Sequence, residues 1–197
     1  MTVQPSPATR LLDAAENLLE SEGLSAVTVR SVARAAGMSH GAPRRYFPTL
    51  LGIHAAVARR GLEDLRTRIE RAVGSASQPR ARLRAAAVEY VRFAAERQHM
   101  FALIFRHDIL ADSGAQLRGT SLPLFGFVTA LVEPVAGEDV HVRAVQLWTA
   151  VHGIAALNST AALGVVTDVD AAQLVDAAIA SIVGTDQPTM DFTDAGS

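Results

Sequence analysis

The stretch HGAPRRY, residues 40–46, gathers the side chains best suited to chemistry: His40, the guanidinium pair Arg44 and Arg45, and the phenol of Tyr46. Guanidiniums donate in a fixed fork that fits phosphate oxygens and the acceptor edge of guanine, and a histidine can donate or accept. Gly41 and Ala42 carry almost no side chain, so the backbone between these donors can come close to a partner surface. An exposed arginine pair is ordinarily just a solvated face. What sets this one apart is its place in the chain.

A second group is apolar. Phe93, Phe101, Phe105, Phe125 and Phe127 fall in the middle of the chain with His99, Arg106 and His107 among them, and Trp148 and His152 follow at a spacing of four. That spacing places Trp148 and His152 on one helical face. An apolar space with a few polar groups is what a small effector needs, although aromatic residues in a helical body can equally be plain core.

A third pattern would serve metal chemistry. Glu96 with His99 and Glu138 with His141 are Glu-x-x-His pairs, the spacing that holds two metal ions inside some four-helix bundles. Both pairs lie beside breakers at helix ends, where solvated termini account for them more simply. The chain has no cysteine, no arrangement of a serine nucleophile with its base, and no glycine-rich phosphate loop. No catalytic residue, metal site or cofactor is expected, and a metal-dependent helical enzyme is kept as the alternative reading.

These groups need elements to position them. Composition points to an all-α fold: 49% of residues are hydrophobic, mostly aliphatic or alanine, only 5% are aromatic, and few stretches alternate with period two. At 197 residues the chain can bury a substantial core. Ser6 caps a first helix that opens at Pro7 and stops at Gly23, with Leu11, Ala15, Leu18 and Leu19 inward. Thr28 caps a helix of about two turns bearing Val29, Val32, Ala33 and Ala36 on one face. Gly37 supplies a left-handed residue, and Ser39 is expected to cap a second short helix from His40 to Tyr46. Two short helices at a steep angle form a helix-turn-helix, whose second helix can enter the major groove of DNA. As caps, Thr28 and Ser39 sit where helix N-termini meet phosphate.

Beyond Pro48, Thr49 caps a long helix to about Gly74, and residues 74–79 read as a linker. Further helices are expected at 80–97, 100–110, 122–132 (entered at Pro123 and ended by Glu133-Pro134), about 138–163 and about 169–183. The whole is a three-helix head on a helical bundle, about nine helices in all, divided as a DNA-binding domain at 7–50 and an effector-binding and dimerisation domain at 51–184. A disordered tail is expected at 185–197. The last two helices carry more apolar surface than a small body can bury, so they are expected to pair with their symmetry mates in a homodimer.

Charge is distributed unevenly. Every basic residue is arginine; up to Arg71 the net charge is +3, and beyond it is -5, for a total of -2. A basic front end suits a DNA-reading head. The lack of cysteine fits a cytoplasmic compartment, and with neither a signal peptide nor an apolar run of about 18 residues the chain is expected to be soluble and not to enter a membrane.

The residues from Arg10 to about Arg60 resemble the N-terminal domain of the TetR family of transcriptional regulators. The resemblance is carried by Ala14-Ala15, Leu18, Gly23, Thr28, Val32-Ala33, Ala36-Gly37-Met38-Ser39, Gly41 and Phe47. The chain departs from the family's pattern in having Arg44 where tyrosine is common, Tyr46 where histidine is common, Leu50 where lysine is common, and Pro43 where an aliphatic residue is usual. Arg44 and Tyr46 retain donors for phosphate oxygens. Trp148, His152 and Gly153 resemble the signature of the WHG type of TetR C-terminal domain, Gly153 being expected to let another helix approach. The resemblance implies a homodimeric repressor that binds a roughly palindromic operator on double-stranded DNA through Thr28, Ser39, His40, Gly41, Ala42, Arg44, Arg45 and Tyr46. A small effector, expected near Phe93, Phe101, Phe105, Phe125, Trp148 and His152, would release it.

Overall fold

The computed structural model describes residues 5–110 and 118–184. The expected tail at 185–197 and most of the expected 112–120 loop lie outside these residues. Among the described residues the chain forms helices and turns and no strand.

The head begins with α1 (Pro7–Glu22), whose cap is the Ser6 hydroxyl accepting from the Thr9 N–H at 3.1 Å, with proline in the first turn. Leu11, Ala14, Ala15 and Leu19 are buried along one stripe, and Gly23, at φ 82°, ends the helix. Thr28 caps α2 (Val29–Ala35) by accepting from the Ser31 N–H, while the Ser31 hydroxyl accepts from the Thr28 N–H. Gly37 turns the chain at φ 65°. Arg10 of α1 donates to the Ala36 carbonyl at 2.7 Å, satisfying an orphan acceptor at the end of α2 with a cation where the helix dipole favours one.

The second helix expected over His40–Tyr46 is instead an irregular turn containing a single 3-10 turn at Pro43–Arg45. Pro43 has no N–H to return to the Ser39 carbonyl, which accepts from Ala42 instead, and Arg45 and Tyr46 likewise bond three residues back. The Ser39 side chain makes no capping hydrogen bond, because the helical turn begins after Ala42 and not after Ser39.

From Thr49, which accepts from the Gly52 N–H at 3.0 Å, α3 (Leu50–Gly74) runs from the head into the body. His54 ties it to the head. Its Nε2 lies 3.1 Å from the Val27 carbonyl, and since a carbonyl can only accept, that nitrogen carries the proton. Farther along, α3 packs on α4 (Pro79–Glu96) and α5 (Gln98–Ile104). A Cβ on Gly61 would stand 2.4 Å from the Met100 sulfur, so the glycine is what lets α3 and α5 approach so closely.

The body departs from its expected boundaries at three places. The expected 100–110 helix breaks at Phe105-Arg106 into α5 and the single turn α6 (His107–Leu110), with Arg106 clamped on Asp108. Neither Pro123 nor Pro134 bounds α7 (Arg118–Ala136), since burial of Leu131, Val132 and Ala136 offsets the hydrogen bonds that the prolines forgo. The long helix ends sooner than expected, as α8 (Val140–Ser159). The Ser159 and Thr160 hydroxyls bond back to carbonyls of the last turn, and Ala161 adopts φ 57° before the short α9 (Leu163–Val166). Asp170 and Gln173 then form a capping box for α10 (Ala171–Val183). In this body α4 is the central rod, packed against α3, α5, α7, α8 and α10.

Candidate nucleic-acid interface and ligand cavity

On the head, Val29, Arg30, His40, Gly41 and Arg44 line one shallow depression. Arg44, Arg45 and Tyr46 are all exposed, as are Thr28, Ser39, His40 and Gly41; Ala42 is half-buried. Pro43 is buried beneath them and anchors the turn, and Phe47 packs against the core. A Cβ at Gly41 would meet nothing within 4 Å, so its backbone is open to a partner. The fold thus gathers residues from the start of α2 and from the turn into one basic surface. Arg30 was not among the sequence candidates. Its only signal was a basic residue in the first turn behind the Thr28 cap, which becomes informative once the turn is seen to lie beside it.

Between head and body stands a cluster of charges that sequence reading did not find. Arg97, at the end of α4 and 15% exposed, donates to Glu16 at 2.7 Å and Glu20 at 2.9 Å on α1 and to Asp64 at 2.8 Å on α3. Burial alone would lower the Arg97 pKa, but the hydrogen bonds to Glu16 and Asp64 and the Glu20 charge carry it above its ordinary value. Arg60 adds bonds to Asp13 and Glu16, and His99 Nδ1 lies 3.1 Å from the Glu20 carbonyl. Phe93, expected near the effector, lies in this joint instead, fully buried with the Arg68 and Arg97 guanidiniums 5.4 and 5.8 Å from its ring centroid. Cation–π attraction and hydrocarbon burial hold it there.

One of the Glu-x-x-His pairs is engaged at the same joint. Glu96 pairs with Arg68 and Arg92, and His99 is held by the head. His141 is exposed and set edge-on to Phe125, and among the described residues no three His, Cys, Asp or Glu side chains gather as metal ligands.

In the body, α3, α4, α7 and α8 line a half-open cavity of about 320 Å3, with the exposed Val145 and Trp148 on its α8 side. Its wall includes Leu62, Tyr90, Phe105, Phe125, Trp148 and Val151 and, among the described residues, carries no formally charged side chain. Tyr90 Oη lies 2.8 Å from His152 Nδ1, so His152 backs the wall from α8. The imidazole is stacked with Trp148, their ring centroids 5.5 Å apart, and edge-on to Phe105 at 4.5 Å. Phe101, outside the wall, supports the cluster with its centroid 5.6 Å from that of Tyr90. Desolvation lowers the His152 pKa. It raises that of Tyr90 well above the phenolic range, with a hydrogen bond from Trp148 acting in the opposite direction. Both groups are therefore neutral near pH 7. In the sequence Tyr90 is one residue of the expected 80–97 helix; its pairing with a residue 62 positions away is invisible to periodicity.

Two capped helices with an exposed basic turn, carried on a helical body that bears an apolar cavity, have the architecture of a helix-turn-helix class of DNA-binding regulator. Residues 11–49 match the model of bacterial regulatory proteins of the tetR family, and residues 83–182 match that of the tetracyclin repressor-like C-terminal domain. The chain belongs to the TetR family of transcriptional regulators and is not an enzyme. Among solved structures it is similar to a protein of unknown function from Rhodococcus sp. RHA1, at 28% identity and a TM-score of 0.79, over 91% of this chain and 94% of that one. It is also similar to a transcriptional regulator from Rhodococcus sp. RHA1, at 23% identity and TM-score 0.72, over 90% and 96%. The multidrug binding protein EbrR, solved with imidazole, matches at 22% identity and TM-score 0.64, over 91% and 96%.

Proposed function

We propose that the chain is a cytoplasmic homodimeric repressor that grips a roughly palindromic operator and lets go when a small effector occupies the body cavity. Thr28, Ser39, His40, Gly41, Ala42, Arg44, Arg45 and Tyr46, joined by Arg30, form the DNA surface. Arg44 and Arg30, which line one depression, are assigned to base edges, and Thr28, Ser39 and Tyr46 to phosphates. Residues 7–50 act as the DNA-binding unit and 51–184 as the effector and dimer unit. The dimer forms through α8 and α10, where Val142, Val145 and Leu157 are exposed and no neighbour stands within 4 Å of a Cβ on Gly153. Within the subunit Gly153 receives no second helix, so its closeness serves the partner. The resemblance of Trp148, His152 and Gly153 to the WHG signature supports assigning the body to that type.

One observation carries the regulatory half of this reading. The rod α4 bears Tyr90 on the cavity wall and ends at Arg97, which holds Glu16 and Glu20 of the head. A ligand that displaces α4 acts directly on the seating of α1, and two heads so displaced lose their register on half-sites about one helical turn, or a multiple, apart.

The test is footprinting on DNA flanking the gene, or on fragments chosen from random sequence, at physiological salt with excess competitor, alongside sedimentation of the free protein. A symmetric footprint made by a dimer is expected. A monomer, or the absence of any selected sequence, would overturn the proposal.

A further inference from the structure

We infer that the cavity selects an uncharged, largely hydrocarbon molecule of about a dozen non-hydrogen atoms with a single hydrogen-bonding group, seated by the Tyr90 and Trp148 end of the wall. This inference rests on the cavity being the effector site.

Size follows from volume. An apolar cavity of about 150 Å3 holds a benzene-sized molecule. The 320 Å3 here holds roughly twice that. Charge is excluded by the composition of the wall. Among the described residues none of its side chains is ionisable near neutrality, since Tyr90 is held protonated by burial and the rest are aliphatic or aromatic. The buried carboxylate nearest in sequence, Glu89, lies beside Tyr90 on α4, but the helical repeat turns it about 100° from Tyr90, it is absent from the wall, and it is paired with Arg92. His152, adjoining the wall, is a poor cation for an acid, because desolvation disfavours its charged form and its Nδ1 is paired with Tyr90. A ligand ammonium or carboxylate would therefore shed its water without gaining a counter-charge.

The wall is nevertheless not wholly apolar. The Tyr90 hydroxyl is committed to His152 Nδ1 at 2.8 Å, which orients it and leaves its oxygen able to accept. The Trp148 indole N–H already donates to that oxygen, so a ligand hydroxyl finds its partner at this one end of an otherwise greasy chamber by donating to the remaining Tyr90 lone pair.

Trp148 is the only tryptophan in the chain and lies on the wall, so its fluorescence reports occupancy directly. Full-length protein titrated with decanol, decanoate and decylammonium, which share one chain length, is expected to bind decanol at least roughly tenfold more tightly than either ion. The Tyr90→Phe variant should lose roughly fivefold in decanol affinity. Equal or tighter binding of either ion would overturn the inference while leaving the cavity as a ligand site, and so would a Tyr90→Phe variant that binds decanol undiminished. Failure of all three probes to bind would overturn both the inference and the cavity's assignment as effector site.

Discussion

Arg97 Nη2 lies 2.7 Å from Glu16 Oε1, a single bond that joins the end of the central rod α4 to the first helix of the head. With Glu20 and Asp64 on the same guanidinium, one side chain holds three helices together. Replacing it by methionine keeps much of the hydrocarbon over Phe93 but takes a partner from three half-buried carboxylates, of which Glu16 keeps Arg60 and Asp64 keeps Arg68. Arg97→Met is expected to lower stability by about 2 kcal/mol, read as a shift in the urea midpoint at unchanged slope. It should also blunt the effect of any cavity ligand on operator affinity; a variant that responds as fully as the parent would remove Arg97 from the coupling route.

Gly61 is the point where α3 passes the fully buried Met100 of α5. Valine there has no room without moving that side chain and Ile104. Gly61→Val should cost about 1–3 kcal/mol from overpacking despite leaving a helix position free of glycine. Thermal unfolding followed by circular dichroism measures this, and an unchanged midpoint would mean that the two helices can part freely.

His152 bears on pH. Its folded pKa lies below the ordinary value of about 6.5. As pH falls through about 6.5 the unfolded chain takes up a proton that the folded chain refuses, so stability present at neutral pH is lost on acidification until the folded value is passed. The midpoint of unfolding should therefore fall between pH 7.5 and pH 5.5 by more in the parent than in His152→Gln. Parallel pH profiles would show that the imidazole titrates as it does in water.

Arg30 and Arg44 line one depression on the head although they belong to different elements. Changing either to alanine should weaken specific binding by about 1–3 kcal/mol and leave the thermal midpoint of the free protein unchanged. Footprint titrations against specific and scrambled DNA separate the roles: loss on both sequences marks a phosphate contact, and loss on the operator alone marks base reading. No loss on either would remove the residue from the interface.

Val142 is 53% exposed on α8. Since it is solvated in the subunit, aspartate there should not disturb the fold, but it would place a desolvated charge in the proposed α8 and α10 interface. Val142→Asp is expected to sediment as a monomer with undiminished helix content and to lose cooperative operator binding. A persistent dimer would move the interface elsewhere.

What the chain's own residues determined locally could be read without a structure. Ser6, Thr28 and Thr49 each cap the helix expected of them, and Gly23 and Gly37 sit at positive φ at the expected stops, because caps and left-handed turns depend on neighbours only a few residues away. The basic turn at Arg44 and Arg45 was legible for the same reason. Its form was not: Pro43 removed a donor whose loss a periodic pattern does not register, and an irregular turn replaced the expected helix. Burial overruled local signals in the other direction in α7, which continues through Pro134 because its last turn is held in the core. Phe93 was grouped with the other phenylalanines by proximity in sequence, yet two arginines from different helices claim it for the joint. Tertiary structure alone decided which aromatic residues line a cavity, that Tyr90 meets His152, and that Arg97 meets Glu16. These contacts join positions separated by 62 and 81 residues, and nothing but the packing of helices around α4 brings them within hydrogen-bonding distance.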